Sequence, residues 1–267
     1  MMNSAYETTA VIFLDVLGTK DRNNFDEKFA VHRVFHEEVK NNEERQAASP
    51  HVIYTRALRS FSDCTFILYT YKDGVADERK NDLNLLYIAL YNTSLSIIRI
   101  LNAGFLVRGG AALGEAFMDE LGFFGPAIED AYELESDKDK AIYPRVILAN
   151  EIGERLFGWE RSRDDGTASM LFSTTPRLIL KDSDGRYFLN VFYQLEMSGS
   201  VQFAEKECTL DSVRTAVDKA IIGIEERHGS NESIMRKMAW MRGFTSQASL
   251  KTKQGVSPIQ TFVLGAK

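Results

Sequence analysis

The chain has 267 residues, 44 % apolar and 11 % aromatic, enough to fill a sizeable core; this excludes a disordered chain and a disulfide-stapled miniprotein. Its net charge of -6 excludes the broad basic face that nonspecific nucleic-acid binding requires, so no nucleic-acid partner is expected. The charge is uneven: from Glu225 to Lys267 seven Lys/Arg face three Glu, a net +4, which leaves -10 on the first 224 residues. An acidic body with a basic carboxyl end suits a small polyanionic ligand held by metal on one side and by cations on the other.

Cys64 and Cys208 are the two cysteines, without a CxxC or a short His/Cys spacing, so neither a disulfide framework nor a structural zinc site is expected. A reducing cytoplasm fits, and MMNSAYETTA has no basic segment followed by an apolar one of the kind a secretory signal needs. The most apolar stretch, Leu83 to Val107, is interrupted by Asn92, Ser94, Ser96, Arg99 and Asn102, so no membrane span is expected.

In chain order, Thr8 to Val16 (TTAVIFLDV) reads as a buried central strand. Asp26 to Gln46 reads as a helix with Phe29, His32, Phe35, His36 and Val39 on one stripe. His51 to Phe61 and Thr65 to Tyr71 form a predicted hairpin around Ser62-Asp63-Cys64. The alternating four-and-three spacing of Leu83, Tyr87, Leu90, Ser94, Ile97 and Leu101 predicts a helix that stops near Asn102 and Gly104. Phe105 to Leu113 is a further strand, followed by an Ala/Gly-rich turn and a loop. Gly125-Pro126 opens a helix to about Ser136, with proline at the first helical position, and Pro144 to Ala149 is another strand. Arg177 to Leu180 and Arg186 to Tyr193 flank an Asp182-Ser183-Asp184-Gly185 turn, and helices are expected over Thr209 to Arg227 and Asn231 to about Met241. The order β-α-β-β-α-β-(α)-β defines an α+β chain with a mixed sheet and helices packed on it. No linker or internal repeat divides it, which favours one domain: a core over 8–150 and a carboxyl-terminal part over 151–267.

Two acids stand where strands end. Asp15 closes the first strand, and Asp63 sits at the tip of the hairpin. A lone carboxylate at the edge of a core costs several kcal/mol unless paired or bound to metal. Two neighbouring strands could present both acids to Mg2+ or Mn2+, whose preference for hard oxygen ligands suits carboxylates. Read blandly, Asp15 caps a turn and Asp63 is a hairpin residue. The turn after Asp15, with Val16, Leu17 and Gly18, has backbone N–H groups able to cradle phosphate oxygens.

FLDVLG, FSDC, VRGGAALG and FGPAIEDAYELE occur in the order and at roughly the spacing of class III nucleotidyl cyclase catalytic domains. VRGG, GPAIEDAYELE, YPRVILA and DGRYFLNVF resemble more closely still the bacterial pyrimidine cyclases of the Pycsar antiphage system. The resemblance runs from about Ala10 to Phe192, with a weaker echo in KMAWMRGF. It implies a ferredoxin-like βαββαβ core, with Asp15 and Asp63 as ligands of two divalent metals and Val16, Leu17 and Gly18 around the triphosphate. It also implies a head-to-tail homodimer with sites at the interface, UTP or CTP as substrate, and a cyclic nucleotide product that acts on a separate effector.

Against that pattern several positions differ. The lysine that helps to read purines, four residues before the second aspartate, is Arg59 here; it alternates with Phe61 and Asp63 onto one strand face. A guanidinium can donate to a pyrimidine carbonyl, and the alternative is a solvated strand arginine. Tyr54 reads as a stacking or base contact, or as a core tyrosine. Glu129 and Glu133 occupy the family's asparagine and transition-state arginine positions. Arg108, Lys237 and Arg236 are the candidates to replace that cation, each also readable as a surface ion pair. The purine-reading aspartate position falls in Gly122-Phe123-Phe124 and has no acid. Arg236, Lys237 and Arg242 are expected near the triphosphate. His32 and His36, four apart with no third ligand nearby, read as partly buried helix residues, and the EDAYELESD segment as a solvated helix face.

Overall fold

The structure is a computed structural model that describes residues 5–19, 24–34, 36, 49, 51–137, 142–162, 176–203 and 206–250. Strand β1 (Glu7–Leu17) is central because both of its faces are apolar from Ala10 to Leu14. It pairs antiparallel with β3 (Cys64–Tyr71) on one side and β4 (Leu106–Met118) on the other. Strand β2 (Tyr54–Phe61) closes a hairpin with β3 through Ser62 and Asp63, and Ser62 adopts a left-handed φ of 58°. Beyond β4 the sheet continues with β6 (Val146–Leu148), β8 (Tyr187–Leu189) and β7 (Ile179–Lys181), while the short β5 (Phe123–Phe124) folds back on β4. The order β2-β3-β1-β4, with the β4–β6 pair parallel, makes a mixed sheet whose first four strands have the predicted βαββαβ topology.

Helix α1 (residues 25–34) and α2 (Asp82–Asn102) cover one face, over Ile12, Leu14, Ile67 and Tyr69. Helix α3 (Pro126–Ser136) covers the other, over Val11, Phe13, Leu68 and Ala112. The expected helix over 26–46 is seen as far as the described residues go; 35 and 37–46 lie outside them. Although α2 has the length and composition of a membrane span, Leu85, Leu86, Leu90, Ile97 and Ile98 are buried against the sheet, so its apolar side forms core.

Several elements differ from the expectation. Strand β4 runs five residues past Leu113, through the segment expected to turn, because its small residues fit beneath α3 rather than break the strand. Strand β8 ends at Leu189, since the Asn190 side chain accepts from Phe192 N and donates to the Arg177 carbonyl and to Glu196, which starts α5 (Tyr193–Ser198). Helix α4 (Asn150–Ser162) and the pair β9 (Ser200–Gln202) and β10 (Glu207–Thr209) form in segments without an expected element. Helix α6 (Leu210–His228) begins at a Thr209/Ser212 capping box, and α7 (Glu232–Gln247) at Asn231, whose side chain accepts from Ile234 N. The last helix therefore runs six residues beyond its expected end.

Candidate active site

Asp15 lies opposite Cys64 across the β1–β3 ladder, so the acid at the end of the central strand stands beside the hairpin tip. Ligand atoms of Asp15, Asp63 and Cys64 fall within 4.8 Å of one another. Two contacts tie the tip to β1 and to the turn after it: Val16 N donates to the Asp63 carbonyl at 3.1 Å, and the Thr19 hydroxyl donates to the Asp63 carboxylate. Of the three residues expected to wrap phosphate, Val16 and Leu17 thus remain in the strand, paired with Val107 and Leu106. Val16 N–H is already used, and the chain leaves the strand at Gly18, whose φ of 80° favours glycine.

The donor set suits a hard divalent cation. The Cys64 thiol, 3.6 Å from Asp15 Oδ1, is pushed up to about 12 by burial first and then by the charges of Asp15 and Asp63. Asp15 and Asp63 offer two hard carboxylate oxygen donors beside the one sulfur of Cys64. Mg2+ or Mn2+ fits these residues.

Arg108 stands directly opposite Asp15 on β4, and its Nε donates to Asp15 Oδ2 at 3.0 Å. Its Nε is also 2.5 Å from Glu135 Oε1 at the end of α3. This acid is reached because α3 packs close. Gly110 and Gly114 of β4 lie under Ala131 and Ala127, and the same helical row carries Glu135 four residues on. Burial raises the Glu135 carboxyl, opposed by the Arg108 charge, while the neighbouring Asp15 raises it further. Glu129, Asp130 and Glu133 are exposed, so the acidic helix is a solvated face except at buried Glu135.

Arg59, opposite Phe66, is on the same sheet face as Asp15, but its guanidinium is held by the carbonyls of Asp119 and Leu58, both at 3.1 Å. Asp119 also accepts Leu121 N and Gly122 N, so Arg59 is tied to the turn that precedes Phe123-Phe124. Tyr54, five residues before Arg59, is on the opposite face, its ring 5.5 Å from that of Tyr69 in the core. It is not brought to Asp15.

Lys237 lies on α7 close enough to Arg108 that burial, Arg108 and Arg236 all lower its pKa. Arg242 grips Glu225 of α6 through both terminal nitrogens, at 3.0 and 2.9 Å. Lys251, Lys253 and Lys267 of the basic end lie outside the described residues.

Beside Asp63 is a cavity of about 220 Å³, lined among others by Thr19, Lys28, His32, His36 and Ser60. His36 is half-buried and hydrogen-bonded to Ser60 at 2.8 Å, and burial followed by the charge of His32 lowers its pKa. His32 is exposed rather than partly buried, with its ring 4.2 Å from that of His36.

Sequence reasoning also missed Arg145. It is fully buried just before β6, ion-paired to Asp182 and Asp184 of the β7–β8 turn and boxed by the rings of Tyr143, Phe188 and Trp240. Trp240 donates to Asp182 at 2.7 Å, so the same turn anchors α7 and with it Lys237. The expected hairpin is present, and its two aspartates hold a guanidinium.

No protein-family model matches the sequence, and no curated protein matches it. Among solved structures, the chain is similar to the catalytic core of a rhodopsin-guanylyl cyclase with converted specificity, in complex with ATPalphaS, at 15 % identity over 70 % of this chain and 97 % of that one, TM-score 0.37. It is also similar to the monomeric guanylyl cyclase domain of the RhoGC fusion protein from the aquatic fungus Blastocladiella emersonii, at 12 % identity over 71 % and 98 %, TM-score 0.43. A bacterial light-regulated adenylyl cyclase is similar at 11 % identity over 80 % and 57 %, TM-score 0.36. At these values the likeness stands as an observation, and the reading of the site rests on its residues.

Proposed function

We propose that the chain is a nucleotidyl cyclase, and within that class a pyrimidine cyclase that converts UTP to 3',5'-cyclic UMP and pyrophosphate. The observation that carries the reading is the meeting of Asp15, from the end of the central strand, with Asp63, from the hairpin tip. In the reaction the ribose 3'-hydroxyl gives its proton to water as its oxygen attacks the α-phosphorus in line, the bond from that phosphorus to the bridging oxygen breaks, and pyrophosphate leaves with the electron pair. Divalent metal, when bound, supplies acidity to the 3'-hydroxyl and offsets charge on the phosphates. Asp15 and Asp63 hold the metals, Thr19 orients Asp63, and Arg108 with Lys237 supplies positive charge on the same side. Arg59, tied to the Asp119 turn and on the same sheet face as Asp15, is the residue proposed to donate to a pyrimidine carbonyl.

The proposal includes a homodimer with sites at its interface, a cytoplasmic location and a separate effector of the product in antiphage defence, all on the resemblance of the motifs. Exposed Phe61, Phe124 and Tyr132 support the dimer, since they offer apolar surface around the site. CTP is the second substrate reading. A noncatalytic nucleotide binder is favoured by one feature, exposed Glu129 and Glu133 where the family has asparagine and arginine.

The test is incubation with ATP, GTP, CTP and UTP separately in Mn2+, with products identified by mass spectrometry. Cyclic UMP is expected. Cyclic CMP alone transfers the reading to CTP, product from ATP or GTP alone sinks the pyrimidine reading, and no pyrophosphate from any of the four sinks the cyclase.

A further inference from the structure

Arg108 has two carboxylate partners and one Nε–H to share between them. That hydrogen goes to Asp15 Oδ2 at 3.0 Å, and Nη2 is also 3.0 Å from the same oxygen. Glu135 Oε1 sits 2.5 Å from Nε as an ion pair whose geometry is not that of a hydrogen bond, its carboxyl neighbours Asp15, and its side chain is only 6 % exposed. A buried carboxylate oxygen that is ion-paired but not in line with an N–H is incompletely satisfied. Rotating the guanidinium from Asp15 towards Glu135 would satisfy that oxygen.

The same carboxylate, Asp15, is claimed from its other side. Its Oδ1 faces Cys64 and the Asp63 group, where the metal reading puts a divalent cation. A guanidinium and a divalent cation around one carboxylate repel each other, and in a half-buried setting this repulsion is weakly screened. A second acid within reach of the guanidinium, which also neighbours Asp15, gives Arg108 an alternative partner and relieves it. Position 135 is where such an acid can stand, because the row Ala127, Ala131, Glu135 lies against β4 while the other acids of α3 point to solvent.

We propose that Glu135 is a positioning residue of the metal site: it draws Arg108 off Asp15, and so leaves Asp15 competent to bind a divalent cation. The proposal rests on the metal reading of Asp15 and Asp63 given above and adds a residue that acts through Arg108 rather than as a ligand.

The test is Mn2+ affinity, read from the free-ion electron paramagnetic resonance signal with no nucleotide present, for wild type, Glu135→Gln, Arg108→Ala and the double variant. Glu135→Gln is expected to weaken Mn2+ binding ~10-fold, the scale of losing an outer partner of a metal ligand. Arg108→Ala should bind at least as tightly as wild type, and adding Glu135→Gln to it should change affinity less than about twofold, since the acid acts through the arginine. Equal weakening by Glu135→Gln in both backgrounds overturns the proposal, as it would make Glu135 a ligand or a bulk charge. No weakening in wild type also overturns it. If Glu135→Gln does not fold, judged by near-UV circular dichroism, Glu135→Asp serves in the same cycle, with a smaller loss that again vanishes with Arg108→Ala. A wild type that binds no Mn2+ overturns the metal reading along with the inference, whereas binding that Glu135→Gln leaves unchanged overturns the inference alone.

Discussion

Gly110 of β4 lies against the backbone of Ala131 in α3 so closely that a Cβ on the glycine would overlap the Ala131 carbonyl oxygen and come within 2.7 Å of Leu134 Cβ. The contact sets how near α3 comes to the sheet, and therefore whether Glu135 reaches Arg108. Gly110→Ala is expected to cost about 2–3 kcal/mol by urea denaturation, because backbone, not a flexible side-chain end, must move. Gly114→Ala is the control. Its Cβ would meet the Ala127 Cβ at 3.5 Å, ordinary contact, so a small effect is expected.

Asp184 gives the stability an acid limb. Burial pushes its carboxyl up, but hydrogen bonds from Arg145 and from Arg186 N, with both guanidinium charges, outweigh this and hold it below the usual carboxylate value. A lowered folded-state value means that the stabilisation is complete above the unfolded value and is lost as pH falls through the folded one. Thermal melts of wild type and Asp184→Asn should therefore differ most at neutral pH and converge below about pH 4, the ordinary carboxylate range. A gap that stays constant down to pH 2 would contradict this.

Local pattern carried much of the fold. The apolar run of β1, the hairpin around Asp63, the α2 stripe and the Gly125-Pro126 helix start were legible because each depends on neighbours within a few residues. The rest depends on pairing across the chain. That Glu135 turns inward follows from which row of α3 meets two glycines of β4, and that Arg145 is buried follows from a turn nearly forty residues later. The Arg242 ion pair is of the same kind, since its partner Glu225 belongs to the helix before it. One placement was open to sequence: Tyr54 and Arg59 are five apart on a period-two strand and so cannot share a face.

Arg59 is tested by the substrate panel. If it contacts the base, Arg59→Ala should raise KM for the preferred nucleotide ~10-fold or more and narrow the preference between pyrimidines and purines. Its anchor is the Asp119 carbonyl, so a change confined to stability would assign Arg59 to fastening β2 to the β4–β5 turn.

The dimer is tested by sedimentation. Phe124 is 56 % exposed, with its ring near those of Tyr6 and Phe117. Phe124→Asp should shift a concentration-dependent dimer towards monomer, with activity falling in step. A wild type that sediments as monomer at every concentration while remaining fully active would contradict the interface reading.

The central claim, that Asp15 and Asp63 together hold the metals of a nucleotide-cyclising site, is tested most directly by pyrophosphate release from the preferred triphosphate in Mn2+, wild type against Asp63→Asn. The variant keeps the size and the hairpin, and is expected to lose ~10²–10³-fold in rate, the scale of removing a group that stabilises developing charge, while its melting temperature changes little. A folded Asp63→Asn protein as active as wild type would contradict the claim.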